Sequence, residues 1–204
     1  MLLFAWWSSL TIGLSSDEYF HHINGLVRYK FLISFGEIQK FEFRNNEFYP
    51  GLYDTISYAL GQIVFLINKK FYANNIDVVM HFVNISFSTL SILGLYLLTQ
   101  KLFNKKIALI TTLLTLLNPF FFGHMGMNSK DIIVFFAFIW SCYYFYLYCT
   151  ENNNLSKNLI FFSLFFGFGC GVRLTFVVVI FPVIIAGLYF LLRKYRTDYS
   201  YIIK

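Results

Sequence analysis

The sequence predicts an all-α polytopic membrane protein of about six transmembrane helices, in which a long polar loop carrying juxtamembrane helices follows the first span. Two observations predict it. Only 13% of the 204 residues are charged and 58% are hydrophobic, whereas soluble domains carry roughly a quarter charged residues. The apolar residues also fall in long runs, without the stripe of a surface helix or the alternation of a strand. Backbone groups in lipid must be satisfied within the segment, so each run is expected to be a helix. Residues 1–204 are read as a single transmembrane domain.

Residues 1–14 are apolar but shorter than the ~20 residues that a span requires, and no basic residue precedes them as in a signal peptide. They are expected to be a truncated first transmembrane helix, and the chain a fragment. Residues 15–77 form the polar loop, with seven of the ten acids and the segment KFEFRNNEF (40–48). Within it, Gly51–Ile67 is expected to be an interfacial helix. Leu52, Ile56, Ala59, Leu60, Ile63 and Ile67 recur on one side, interrupted by Asp54, Thr55, Ser57 and Gln62. Pro50 sits where a helix can begin. Transmembrane helices are then expected at 78–100, 107–122, 132–149, 159–172 and 174–192. The last two are separated around Gly167, Gly169, Gly171 and Arg173. Cys142, Cys149 and Cys170 lie in apolar runs without metal-like spacing and read as small buried hydrophobes.

The net charge of +6 does not point to nucleic acid, because the basic residues sit at helix ends and form no stripe. If Gly51–Ile67 lies on the membrane, the basic turns KLFNKK (101–106) and RKYR (193–196), together with Lys157, all fall on the cytoplasmic side, as the positive-inside rule expects. That topology places Asp17–Glu18 and Asn128–Asp131 together on the outer face.

Three constellations there can carry chemistry. In SSDEYFHH (15–22), Asp17 and His21 are four apart and share a helix face. A carboxylate at this position can act as a general base, and Asp17 with Glu18, His21 or His22 could hold a divalent cation, to which Asp131 could add a ligand. A competing expectation is that Ser15 or Ser16 caps a helix whose first turn holds the acids. In NPFFFGHMGMNSKD (118–131), Pro119 should end or kink a helix, and Asn128 to Asp131 has the spacing of a cap. Lys130 is a lone cation in apolar surroundings, suited to a lipid phosphate, with His124 and Asn128 as hydrogen-bonding neighbours. Arg173, in an apolar stretch near the same face, carries a fork that suits phosphate oxygens. His81 and Asn84 are weaker candidates.

An Asp-Glu with a nearby His after a short first helix, then a loop containing Tyr49-Pro50, then Asn118-Pro119, Gly123-His124 and Asn128-Ser129-Lys130-Asp131, resembles the polyprenyl-phosphate-sugar-dependent glycosyltransferases. The likeness is to bacterial members of the protein O-mannosyltransferase and aminoarabinose transferase group, over the N-terminal part of that family's length. It implies the N-terminal part of a C-type glycosyltransferase fold in a bacterial inner membrane, with the site facing outside the cytoplasm. It implies inverting transfer of a sugar from a polyprenyl-phosphate donor to a protein, lipid or glycan acceptor. Asp17 would match the catalytic acidic residue, the base that activates the acceptor, with Glu18 beside it. Lys130 and Asp131 would match the polar motif of the second loop near the donor phosphate or its metal, Arg173 a basic residue that follows a glycine-rich turn, and Gly51–Ile67 the juxtamembrane helix. Ser129 departs from the pattern, where relatives usually carry proline. Two other functions compete on the residues alone. A transporter or lipid-handling subunit would show internal repeats and midplane charges, neither of which is visible; the other is an inactive fragment.

Overall fold

A computed structural model describes residues 1–13, 15–37, 49–151 and 154–202, without the side chains of Ser16 and 195–202. The KFEFRNNEF segment lies outside the described residues. The described chain is helical: α1 (Leu2–Thr11), α2 (Ser16–Ile33), α3 (Leu52–Ile67), α4 (Lys69–Asn74), α5 (Ile76–Leu102), α6 (Lys105–Leu117), α7 (Pro119–His124), α8 (Asp131–Thr150), α9 (Leu155–Val172) and α10 (Phe176–Ile202). Among the described residues, four helices are long and apolar enough to cross a membrane: Ile76–Leu102, Asp131–Thr150, Leu155–Val172 and Phe176–Lys194. At 10 and 13 residues, α1 and α6 are shorter than a span of ~20.

The helix boundaries follow local chemistry. The Asn118 side chain accepts from the N–H groups of Phe120 and Phe121, and Pro119 opens α7, so the helix ends at Pro119 as expected and the span expected at 107–122 is two helices. The glycines at 167, 169 and 171 do not interrupt α9. That helix continues to Val172, and the chain becomes extended only at Arg173. Backbone hydrogen bonds inside an apolar segment outweigh the modest helix cost of glycine.

α8 is the centre of the bundle, packed against α9, α5 and α10. Its core is layered. Ala137, Cys142, Phe176 and Ile180 join α8 to α10, while Ile132 and Ile133 meet Tyr53, Val83 and Val172. Phe87, Phe136 and Phe168 form an aromatic node between α5, α8 and α9, with centroids 4.8 Å apart for Phe87–Phe136. On the far side α1 and α6 pack on α5, and Ala5, Ile85, Ile92, Leu116 and Met125 close that layer.

α2 and α3 form a hairpin over one end of the bundle. Their close crossing depends on Gly25, where a Cβ would lie 2.3 Å from the Asp54 carbonyl oxygen. α3 is amphipathic in the expected sense. Its buried residues are Tyr53, Asp54, Ser57 and Gly61, while Leu52, Leu60, Ile63 and Ile67 are exposed. The polar side packs against protein and the apolar side faces outward. At the opposite end of the bundle, Lys101 on α5 pairs with Glu151 after α8 at 2.7 Å.

Candidate active site

The hairpin, the turn before α8 and the start of α10 meet at one end of the bundle. Ser15 opens α2 with a capping box, in which its hydroxyl accepts from the Glu18 N–H and Glu18 Oε2 accepts from the Ser15 N–H at 2.8 Å. The cap sets the rotation of the first turn. Asp17 is exposed, whereas Glu18 points inward and is fully buried. Glu18 Oε1 lies 2.8 Å from His81 Nε2 on α5, with both side chains shielded from solvent.

α5 also holds the turn before α8. Asn84 Nδ2 donates to the Gly126 carbonyl at 3.0 Å, and the Ser88 hydroxyl donates to the Met125 carbonyl at 2.7 Å. Buried carbonyls need such partners. The Tyr53 hydroxyl donates to Asn84 Oδ1, so α3 is fastened to the same point. Burial, reinforced by the Asp54 charge, pushes the Tyr53 phenol well above its ordinary range; it stays a donor. Beyond Gly126, Asn128 Oδ1 accepts from the N–H groups of Lys130 and Asp131 at 3.0 and 2.7 Å, a turn just ahead of α8, whose N-cap position is Lys130. Asn128 Nδ2 lies 3.0 Å from His124 Nδ1 and 3.1 Å from Asp131 Oδ2. Arg173, in the extended link between α9 and α10, donates to Asp131 Oδ1 at 2.7 Å.

These elements enclose a cavity of about 330 Å³. Asp17, His21, His124, Asn128, Lys130, Asp131 and Arg173 all line it, with Ser15, Met127 and Ser129. Residues separated by more than 150 positions therefore share one wall, and the two expected constellations form one site together with Arg173. Its ionised groups comprise two carboxylates and two cations. The Arg173–Asp131 pair is about half exposed, and exposed pairs hold only ~0–1 kcal/mol, so the guanidinium can exchange Asp131 for another anion at little cost.

Two expectations are corrected by the geometry. Glu18 does not reach the cavity: in place of a catalytic position beside Asp17, it caps α2 and pairs with His81. Nor does the cation set Asp17, His21 and Asp131 come together as ligands. Among the described residues, no three His, Cys, Asp or Glu side chains group as a metal site. His21 Nδ1 faces Asp54 Oδ1 at 2.9 Å and Asp131 faces Arg173, so two of the three candidates already have partners.

Behind the cavity wall lies a buried network that sequence reasoning missed. Asp54, expected only to interrupt the apolar side of α3, takes His21 on one oxygen and the Asn24 amide on the other. Asn24 Oδ1 accepts from Arg28 Nε at 3.1 Å, and Arg28 Nη2 donates to the Tyr49 carbonyl. Burial lowers the Arg28 pKa, against the opposing charge of Asp54. His81 and Asn84 are anchors for the hairpin and the turn, with no place in the cavity wall. The available signal was their spacing from Ser88, with all three on one face of an otherwise apolar helix.

The profile of the dolichyl-phosphate-mannose-protein mannosyltransferase family matches residues 58–203. The chain belongs to that family. It is an integral membrane protein of a glycosyltransferase family of the mannosyltransferase type. The matched stretch contains His124, Asn128, Lys130, Asp131 and Arg173, while Asp17 and His21 precede it. No curated protein and no solved structure matches the chain.

Proposed function

We propose that the cavity transfers a sugar from a polyprenyl-phosphate donor to an acceptor hydroxyl on the extracytoplasmic face of the membrane, with inversion at the anomeric carbon. The observation that carries this reading is the convergence of Asp17, Lys130 and Arg173 on one cavity in a chain of this family. Asp17 takes the proton of the acceptor hydroxyl as its oxygen bonds to the anomeric carbon, and the bond from that carbon to the phosphate oxygen breaks. The electron pair leaves with the polyprenyl phosphate, whose charge grows from one negative toward two. Lys130 and Arg173 stabilise that growing charge, and cations count for more in a site partly screened from water. His124 and Asn128 supply hydrogen bonds at the cavity mouth. A bacterial inner membrane as the location and a protein, lipid or glycan as the acceptor belong to the same proposal.

Asp17→Asn in the full-length protein tests the chemistry. Transfer of labelled sugar from a polyprenyl-phosphate-mannose donor should fall by at least about a hundredfold, the lower end for loss of a general base, with membrane insertion unchanged. Transfer at the wild-type rate would remove Asp17 from the mechanism. The face is tested in a background without Cys142, Cys149 and Cys170. A cysteine at exposed Tyr19 should label from outside intact cells, and one at exposed Phe103, at the other end of the bundle, should not. The reverse pattern would put the cavity on the cytoplasmic side.

A further inference from the structure

The cavity's lysine rests on a residue of the first loop. Lys130 Nζ stands 5.0 Å from the centroid of the Tyr49 ring, and no carboxylate among the described residues is within ion-pair distance of it. Tyr49 is not itself part of the cavity wall. Its backbone carbonyl accepts from Arg28 Nη2 at 2.5 Å. The space that the guanidinium occupies is left by Gly51, where a Cβ would stand 2.2 Å from Arg28 Nε. The Tyr49 hydroxyl is buried without a hydrogen-bond partner among the described residues, so the ring is the part of the side chain in use.

We propose that Tyr49 is a positioning residue: its ring, anchored through Arg28, sets where the Lys130 ammonium stands for a phosphate-bearing lipid. Lysine is a compact charge on a flexible four-carbon stem. A ring beneath the ammonium restricts the stem without neutralising the charge, because the attraction is to the quadrupole of the ring. A carboxylate in the same place would hold the lysine more firmly and cancel the charge that the phosphate needs. Through Arg28, Asn24 and Asp54 the same anchor reaches His21, so the loop that carries Tyr49 is tied to the helix that carries Asp17. The inference rests on the reading of Lys130 as a phosphate contact.

The experiment uses the purified full-length chain in lipid nanodiscs and undecaprenyl phosphate as the probe, with the dissociation constant read by native mass spectrometry. Tyr49→Leu should weaken binding about three- to fivefold, the loss of one cation–π contact. Tyr49→Phe, which keeps the ring, should restore it. Lys130→Met should weaken binding at least as much, and Tyr49→Leu added to Lys130→Met should change nothing further. If Lys130→Met weakens binding and Tyr49→Leu does not, the positioning role is wrong and the phosphate reading stands. If Lys130→Met binds as wild type does, the phosphate reading fails and takes this inference with it. An equal loss from Tyr49→Leu with and without Lys130 would also overturn the proposal, since Tyr49 would then act by another route. Should leucine at 49 prevent folding, Gly51→Ala displaces Arg28 and leaves the tyrosine, and it should weaken binding in the same lysine-dependent way.

Discussion

Asp17 and Glu18 are adjacent acids, and the structure assigns them opposite behaviour under mutation. Glu18 is fully buried against His81, also fully buried, with 2.8 Å between them. Removing one partner of a buried polar pair leaves the other desolvated and unpartnered, at about 1–3 kcal/mol. Glu18→Ala also removes the acceptor for the Ser15 N–H, a cap interaction of about 1 kcal/mol. For a chain of this size, a loss on that scale lowers the melting midpoint by roughly 10 °C. Glu18→Met with His81→Leu removes both polar groups and fills the space, so most of the lost midpoint should return. Asp17→Asn changes an exposed side chain and should leave the midpoint where it is while transfer is lost. The assay is thermal unfolding in detergent beside sugar transfer, on all four proteins. If Glu18→Ala melts like the wild type and only activity falls, Glu18 belongs to the chemistry and the packing argument is refuted.

Gly25→Ala should be destabilising out of proportion to one methyl group. Its Cβ would meet the Asp54 carbonyl at 2.3 Å, and backbone atoms move less readily than side-chain tips. A cost of about 1–3 kcal/mol is expected from overpacking, read as a lowered midpoint; a midpoint within 1–2 °C of wild type, roughly half a kcal/mol, would show that the hairpin crosses more loosely. Asn84→Leu should strand the Tyr53 hydroxyl and the Gly126 carbonyl at about 1–3 kcal/mol each. Because the turn before α8 carries Lys130, binding of undecaprenyl phosphate should weaken with it. Unchanged binding would mean that the turn holds its shape without α5.

The membrane class, the long helices and most of the polar residues that line the cavity were legible because their signals are local. Apolar run length is a property of consecutive residues, as is the interval that lets Asn128 accept from the Asp131 N–H. The break at Asn118–Pro119 follows from a side chain that caps and a ring that removes an N–H. The parting of the last two spans was legible too: the helices expected at 159–172 and 174–192 are α9 and α10, separated at Arg173. Spacing also put Asp17 and His21 on one helix face, and both line the cavity. The cation set did not follow, because proximity along a helix does not say which side chains already have partners.

What the sequence by itself determined is therefore the class of solvent around the chain, the periodicity of its elements and the residues with chemistry to offer. What only the tertiary structure decided is the direction in which each of those residues points and what it meets. The rotation set by the Ser15 cap turns Asp17 to the cavity and Glu18 to His81, 63 positions away. Asp54, on the polar side of an amphipathic helix, became the partner of His21, 33 positions before it. Hydrophobic burial and helix geometry are written in neighbouring residues, whereas a buried polar contact depends on desolvating two groups together, and nothing local in the chain names the second group.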